Sequence, residues 1–210
     1  LTSWIRKKKI VKLKDSRNQK FEQFLLNELN LHPNTAHNLQ ELQTIVKSSD
    51  IRTWISGSDQ VWSDTCAQFD PAFFLHLELP ANSAKYSYAA SFGFNQLPEQ
   101  LQVEYKKRLE GYKHYSVREK SGVDIIKQLQ LGNAAEHCDP TLLLRADDWQ
   151  KIASEPKQTE PYILIYHVKK PDLLLKKAAE LRKATGLNVV YLSSYFSHTT
   201  ISGKQYKKYR

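Results

Sequence analysis

Methionine is absent from the 210 residues, and cysteine occurs only twice, at Cys66 and Cys138. The two cysteines match neither a zinc site nor a redox pair, so they read as ordinary thiols in a reducing compartment. With no methionine and Leu1 in first place, the segment reads as an internal piece of a longer protein. The 7 glycines are scattered, and none belongs to a phosphate-cradling loop or a nucleophile elbow. No apolar run approaches the roughly 18 residues that span a bilayer. The opening "LTSWIRKKKIVKLK" also lacks the apolar stretch of a signal peptide. These absences argue against a membrane-spanning protein, a disulfide scaffold, a P-loop enzyme and a serine hydrolase. The expectation is a soluble, cytoplasmic protein.

What is present is ample material for a core: 40% of residues are hydrophobic and 11% aromatic, unlike a disordered chain. The formal charge of +9 raises the question of nucleic acid. Much of the excess sits at the ends, in "RKKKIVKLK", "KKAAELRK" and "KQYKKYR". In "PDLLLKKAAELRKATG" the lysines fall mainly opposite the leucines of an amphipathic helix, which a solvated face explains. The aromatics near "RKKKIVKLK" form no stacking pattern, so no nucleic-acid partner is expected. An anionic substrate, or a peripheral contact of that stretch with acidic lipid, uses the charge equally well.

Along the chain, "SRNQKFEQFLLNELN" places Phe21, Phe24, Leu25 and Leu29 on one helical face, and "NLQELQTIVKSS" predicts a second helix. "DIRTWIS" predicts a strand and "FFLHLEL" an extended segment alternating around His76 and Glu78. "KYSYAASFG" and "HYSVRE" predict strands separated by the helix "LPEQLQVEYKKRLEGYK". A helix "KSGVDIIKQLQLG", a short strand in "AAEHCDP", a turn at Asp139-Pro140 and a helix "ADDWQKIA" follow. After "SEPKQTEP", which reads as a linker, come strand "YILIYHV", helix 171–185 and strand "NVVYLS". Strands alternating with helices predict an α/β fold with a parallel sheet covered on both faces. The expected domains are 1–154 and 161–210.

Ligands of parallel sheets bind beyond the carboxyl ends of the strands, so polar residues just after a strand carry the most weight. Three sets qualify. Gly57-Ser58-Asp59-Gln60 follows "TWIS", Ser91-Phe92-Gly93 follows "YSYAA", and Arg118-Glu119 follows "YSV" and precedes a helix. An arginine before a helix amino end can grip a carboxylate or phosphate. Each set also has a plainer reading: a turn and helix cap, a strand end, a surface ion pair. Asp139-Pro140-Thr141 reads as a rigid turn. The seven histidines form no metal spacing, and His76 and His114 read as partly buried packing residues.

The order of "WISGSDQVW", "FFLHLEL", "KYSYAASFG", "YSVREKSGVDII" and "DPTLLLRADDW" resembles the polysaccharide pyruvyl transferase family from about residue 17 to about residue 170. The resemblance implies a fold like the two-domain GT-B glycosyltransferases, with a Rossmann-like first domain and an incomplete second one. It implies transfer of the enolpyruvyl unit of phosphoenolpyruvate onto a sugar hydroxyl pair as a ketal, during cell-surface or exported polysaccharide biosynthesis. The acceptor would be a polysaccharide sugar or its lipid-linked precursor, placing the protein in the cytoplasm or at the inner membrane face. No cofactor or metal is implied, only phosphoenolpyruvate as donor substrate. Arg118 matches the donor-binding arginine and is the candidate catalytic residue. Gly57, Ser58, Asp59, Gln60, Ser91, Phe92 and Gly93 match loops along the cleft, with Asp59 or Gln60 meeting a sugar hydroxyl. The family's early Asn-Tyr-Gly-like loop and late Ser-Phe-His-like block have no counterpart here, so no histidine inherits the acid role. The chain by itself is expected to be inactive. A nucleotide-sugar glycosyltransferase of GT-B type and a non-catalytic binding module or remnant are the competing readings.

Overall fold

The computed structural model describes residues 18–156, 158–167, 172–193 and 207–208. The stretch "RKKKIVKLK", on which the membrane contact rests, lies outside the described residues, as does most of "KQYKKYR". Two compact units divide the chain, His32–Ala153 in one and the flanking segments in the other.

The larger unit is built on a four-stranded parallel sheet. Helix α2 (Leu39–Ser48) precedes strand β1 (Thr53–Ser56). Strand β2 (Ala84–Ser87), helix α3 (Gln102–Leu109) and strand β3 (Tyr112–Val117) follow. Helix α4 (Lys120–Gln128), strand β4 (Ala134–Glu136) and helix α5 (Ala146–Ile152) complete it. The strands lie in the order β1-β2-β3-β4, each beside its predecessor. Right-handed crossovers running in one direction put α3 and α4 on the same face of the sheet. Accordingly Tyr105 and Leu109 of α3, Ile125 and Ile126 of α4, and Tyr112, Tyr115 and Val117 of β3 share one core. Ile55, which alternates with Trp54 along β1, is 62% exposed on the opposite side.

The connection from β1 to β2 carries no helix, contrary to an ordinary βαβ unit. Its apolar residues instead form an aromatic cluster. Its Trp62 and Phe74 are buried against Phe92, which lies just past β2, with Trp62 and Phe92 rings 5.2 Å apart and Phe92 and Tyr105 rings 5.5 Å apart. Two core tyrosines pin this connection by donating to its carbonyls, Tyr105 Oη to Trp62 O at 2.7 Å and Tyr112 Oη to Phe74 O at 2.8 Å. Burial pushes both phenols above their ordinary range, so they remain proton donors. "FFLHLEL" is therefore a series of turns, with Leu75 at φ 47°, and not the extended segment its alternation predicts. Phe74 and Leu75 enter the core side by side, while His76 is exposed. His114 is exposed as well, stacked on Tyr86 at 5.8 Å. Neither histidine is the half-buried packing residue expected.

Helix α4 reaches the sheet through Gly122, which is buried. A Cβ at Gly122 would lie 2.9 Å from Cβ of Val117, itself fully buried and β-branched. Gly122→Ala gains roughly 1 kcal/mol of helix propensity but overpacks this contact by about 1–3 kcal/mol. A net loss of about 1 kcal/mol is expected in a urea melt. A more stable variant would show that α4 can move off β3.

In the second unit, strands β5 (Tyr162–His167), β6 (Asn188–Ser193) and β7 (Lys207–Lys208) form a parallel sheet in that order. Helix α6 (Asp172–Thr185) joins β5 to β6 and buries Leu175 and Ala178 against Ile165 and Val189. Residues 18–28 form helix α1, on which Phe21, Phe24 and Leu25 are exposed. Among the described residues no helix is long and apolar enough to cross a membrane.

Candidate functional site

Backbone pairing continues past the named strands of the larger unit. Asp59 bridges Ala90, and Ala90 bridges Val117. Ser91 N–H donates to Asp59 O at 2.9 Å, Arg118 N–H to Ala90 O at 3.1 Å, and His137 N–H to Val117 O at 2.9 Å. The four strand ends therefore align the backbones of Asp59, Ser91, Arg118 and His137 along one edge, the edge at which parallel sheets bind ligands, with Ser91 buried beneath it.

Arg118 is the centre of this edge. Its Nε donates to Glu119 Oε1 at 2.9 Å, and its Nη1 lies 3.3 Å from Asp139 Oδ2 and 3.5 Å from Asp59 Oδ1. The Glu119 hydrogen bond, ahead of the Asp139 and Asp59 charges, raises the guanidinium above its ordinary range. These contacts use Nε and Nη1. Among the described residues they leave the two Nη2 hydrogens for a ligand. Arg118 directly precedes the amino end of α4, whose free N–H groups add positive potential.

Asp139 fastens the cluster. Ser58 Oγ donates to its Oδ2 at 2.7 Å, and Thr141 donates to its Oδ1 through N–H at 3.0 Å and Oγ1 at 2.7 Å. The Ser58 bond first, then those from Thr141, hold its carboxyl well below the usual carboxylate range. It stays ionised at any pH above the ordinary range and loses these contacts only as strong acid protonates it. Ser58 is set by an unusual turn. The Gly57–Ser58 peptide is cis, Gly57 has φ 132° and Asp59 has φ 72°.

The predicted residues thus separate. Gly57, Ser58, Asp59, Arg118 and Glu119 come together. Gln60 turns away, its Oε1 accepting from Cys66 Sγ at 3.0 Å. Ser91 and Phe92 are each 1% exposed, so they build the core beneath the edge, and the exposed Gly93 lies against the Gln60 side chain. Asp139, read from the sequence as a turn former, caps the following 3-10 turn as expected but also joins Ser58 to Arg118. His137 lies near the same edge, its Nδ1 2.9 Å from Ser116 Oγ and its ring stacked on Tyr88, a grouping no local sequence pattern marks. The strand-end rule applied to "AAEHCDP" would have found His137 and Asp139. Among the described residues no three His, Cys, Asp or Glu side chains are grouped to hold a metal. A groove of about 610 Å³ between α2 and residues 71–77 shares no residue with the Arg118 cluster.

One guanidinium among three carboxylates is a poor trap for an anion unless a carboxylate yields, and a good set of acceptors for hydroxyl groups. Asp59 is the one able to yield, with a side chain 84% exposed against 27% for Asp139. A fixed cation beside a displaceable acid, at the strand ends of a parallel sheet, suits a ligand carrying both an anion and hydroxyls. The profile of the polysaccharide pyruvyl transferases matches residues 2–199. No match to a curated protein or a solved structure accompanies it. With nearly its whole length matched and its polar strand ends gathered around Arg118, the chain belongs to the polysaccharide pyruvyl transferase family.

Proposed function

We propose that the protein transfers a pyruvyl unit from phosphoenolpyruvate to a pair of sugar hydroxyls, forming a ketal during polysaccharide biosynthesis. The observation that carries the reading is Arg118, held by Glu119 and Asp139 with its Nη2 hydrogens left over. The donor bears a carboxylate and a phosphate, and phosphate must depart. A guanidinium fixed in advance stabilises that developing charge without reorganising. The amino end of α4 lies next to it for the same anion. Asp59 serves the acceptor, its carboxylate accepting from a sugar hydroxyl. In this reading the two Rossmann-like halves of a GT-B-like enzyme are residues 1–154 and 161–210, whereas residues 1–31 group with the second compact unit. The protein works in the cytoplasm on a polysaccharide sugar or its lipid-linked precursor.

Calorimetric titration of the chain with phosphoenolpyruvate, against a nucleotide sugar, tests this. Saturable binding of phosphoenolpyruvate that weakens with added salt is expected. Preference for the nucleotide sugar would move the protein to glycosyl transfer. Asp59→Asn is expected to tighten phosphoenolpyruvate binding by roughly two- to five-fold, the magnitude of an exposed ion pair. The substitution removes a rival for Nη1 and a repulsive charge. Weaker binding instead would make Asp59 part of the donor site.

A further inference from the structure

Ser58 and Asp139 belong to the Arg118 edge, yet both spend their side-chain hydrogen bonds on protein groups. Ser58 lies just past β1 and Asp139 just past β4, the two outer strands of the sheet, with Arg118 just past β3 between them. An ionised carboxylate offers about four acceptor positions on its two oxygens. Thr141 fills Oδ1 through its N–H and its hydroxyl, and Ser58 Oγ at 2.7 Å shares Oδ2 with Arg118 Nη1 at 3.3 Å. Pro140 opens the following turn and confines the Asp139 backbone, which sits at φ −55° and ψ 137°. Ser58, expected from the sequence to line the cleft, is half-buried and has committed its hydroxyl proton to Asp139.

The two aspartates near Nη1 therefore differ in kind. Asp59, with its side chain largely in water, can swing away as an anion arrives. Asp139 is tied by Ser58, Arg118 and Thr141, and it stays. Glu119 on Nε at 2.9 Å and Asp139 on Nη1 hold the guanidinium at two points, so the Nη2 hydrogens keep one direction. A ligand is then spared the entropy of ordering an arginine, roughly two- to ten-fold in affinity for one long side chain. Against this stands the repulsion between Asp139 and an anion. Its charge is already met by four donors, so little of that repulsion reaches a ligand.

We propose that Ser58 and Asp139 are positioning residues for Arg118, together holding its Nη2 hydrogens toward the carboxylate or phosphate of the donor; the identity of that donor rests on the pyruvyl-transfer reading. Orientation and charge predict opposite signs here. Removing a negative charge from an anion site ordinarily tightens binding, as expected for Asp59→Asn. Asp139→Asn should weaken it. The new amide oxygen still accepts both Thr141 bonds, and the amide N–H can donate to Ser58 Oγ. An N–H then faces the Nη1–H, and Arg118 is released.

Calorimetric titration with phosphoenolpyruvate separates the two signs. Asp139→Asn is expected to lower affinity by roughly three- to ten-fold, the cost of ordering one long side chain. Ser58→Ala should lower it less, because Asp139 keeps its Thr141 bonds. In an Arg118→Ala background Asp139→Asn should cost nothing further, since members of one network are not additive. A merely structural aspartate would cost the same in both backgrounds. Affinity that rises or holds in Asp139→Asn, or that falls equally with and without Arg118, overturns the proposal. Nitrogen-15 spectra of the ligand-free protein add a reading that needs no donor. The two Nη signals of Arg118, distinct in the parent, should coalesce in Asp139→Asn as the guanidinium is freed, and unchanged signals count equally against the proposal. If an amide correlation spectrum shows Asp139→Asn unfolded, Ser58→Ala carries the same cycle. A parent chain that binds no phosphoenolpyruvate overturns the donor reading, and the guanidinium spectra then decide the positioning role by themselves.

Discussion

Arg118→Ala is expected to lower affinity for phosphoenolpyruvate by roughly 10- to 150-fold, the loss of charge-assisted hydrogen bonds worth about 1.5–3 kcal/mol. The guanidinium is partly buried, with a side chain 25% exposed, and its orientation is set before any ligand arrives. Lysine at this position would restore a charge but not the planar fork, so Arg118→Lys should recover only part of the affinity. The fold should survive both changes. Asp139 keeps its bonds from Ser58 and Thr141, and Glu119 and Asp59 reach water. Melting temperatures within a few degrees of the parent are the corresponding control. Affinity unchanged in Arg118→Ala would remove the donor from this edge altogether.

The second large effect concerns stability. A Cβ at Gly57 would stand 2.0 Å from the carbonyl oxygen of Tyr88 and 2.9 Å from its carbonyl carbon. Neither is a side chain that can swing aside. Tyr88 N–H donates to Ser56 O at 2.9 Å, so relieving the clash means parting the ends of β1 and β2. Gly57 also has φ 132°, which side chains rarely adopt. Strain of about 1–3 kcal/mol and overpacking of a similar size should make Gly57→Ala destabilising by about 3–5 kcal/mol. That corresponds to a fall in melting temperature on the order of 10 °C. Gly132→Ala separates the two causes. Gly132 has φ 109° but nothing within 4 Å of its added Cβ, so it bears strain alone. It should lose about 1–3 kcal/mol, and a Gly57→Ala loss no larger than this would mean the Tyr88 contact relaxes freely.

Much of this arrangement was open to a reader of the sequence. "TWIS", "KYS", "HYSV", "YILIYH" and "NVVYLS" all contain strands, and the helices fall within a few residues of their predicted ends. Each depends on a period of 2 or 3.6 written into neighbouring residues. "FFLHLEL" shows where that reading stops. Its alternation is real, but Phe74 and Leu75 both enter the core because three ring systems and a tyrosine hydroxyl draw the chain into turns. Ser91 and Phe92 stand just after a strand, as site residues do, yet Phe92 joins the aromatic cluster and Ser91 is buried beside it, its carbonyl accepting the Trp62 N–H at 3.1 Å.

The sequence by itself determined the family, the α/β alternation, and the placing of Gly57–Asp59 and Arg118 at strand ends. Each is a property of short stretches or of their order. Tertiary structure alone decided the company Arg118 keeps. Ser58 and Asp139 stand 81 positions apart in the chain, and Ser116 and His137 stand 21 apart. The sheet order β1-β2-β3-β4 brings Ser58 to Asp139, and pairing of β3 with β4 brings Ser116 to His137, because register decides which side chains share a face. Residues in "EHCDP" that look like a turn become half of a site because the neighbouring strand ends at Arg118.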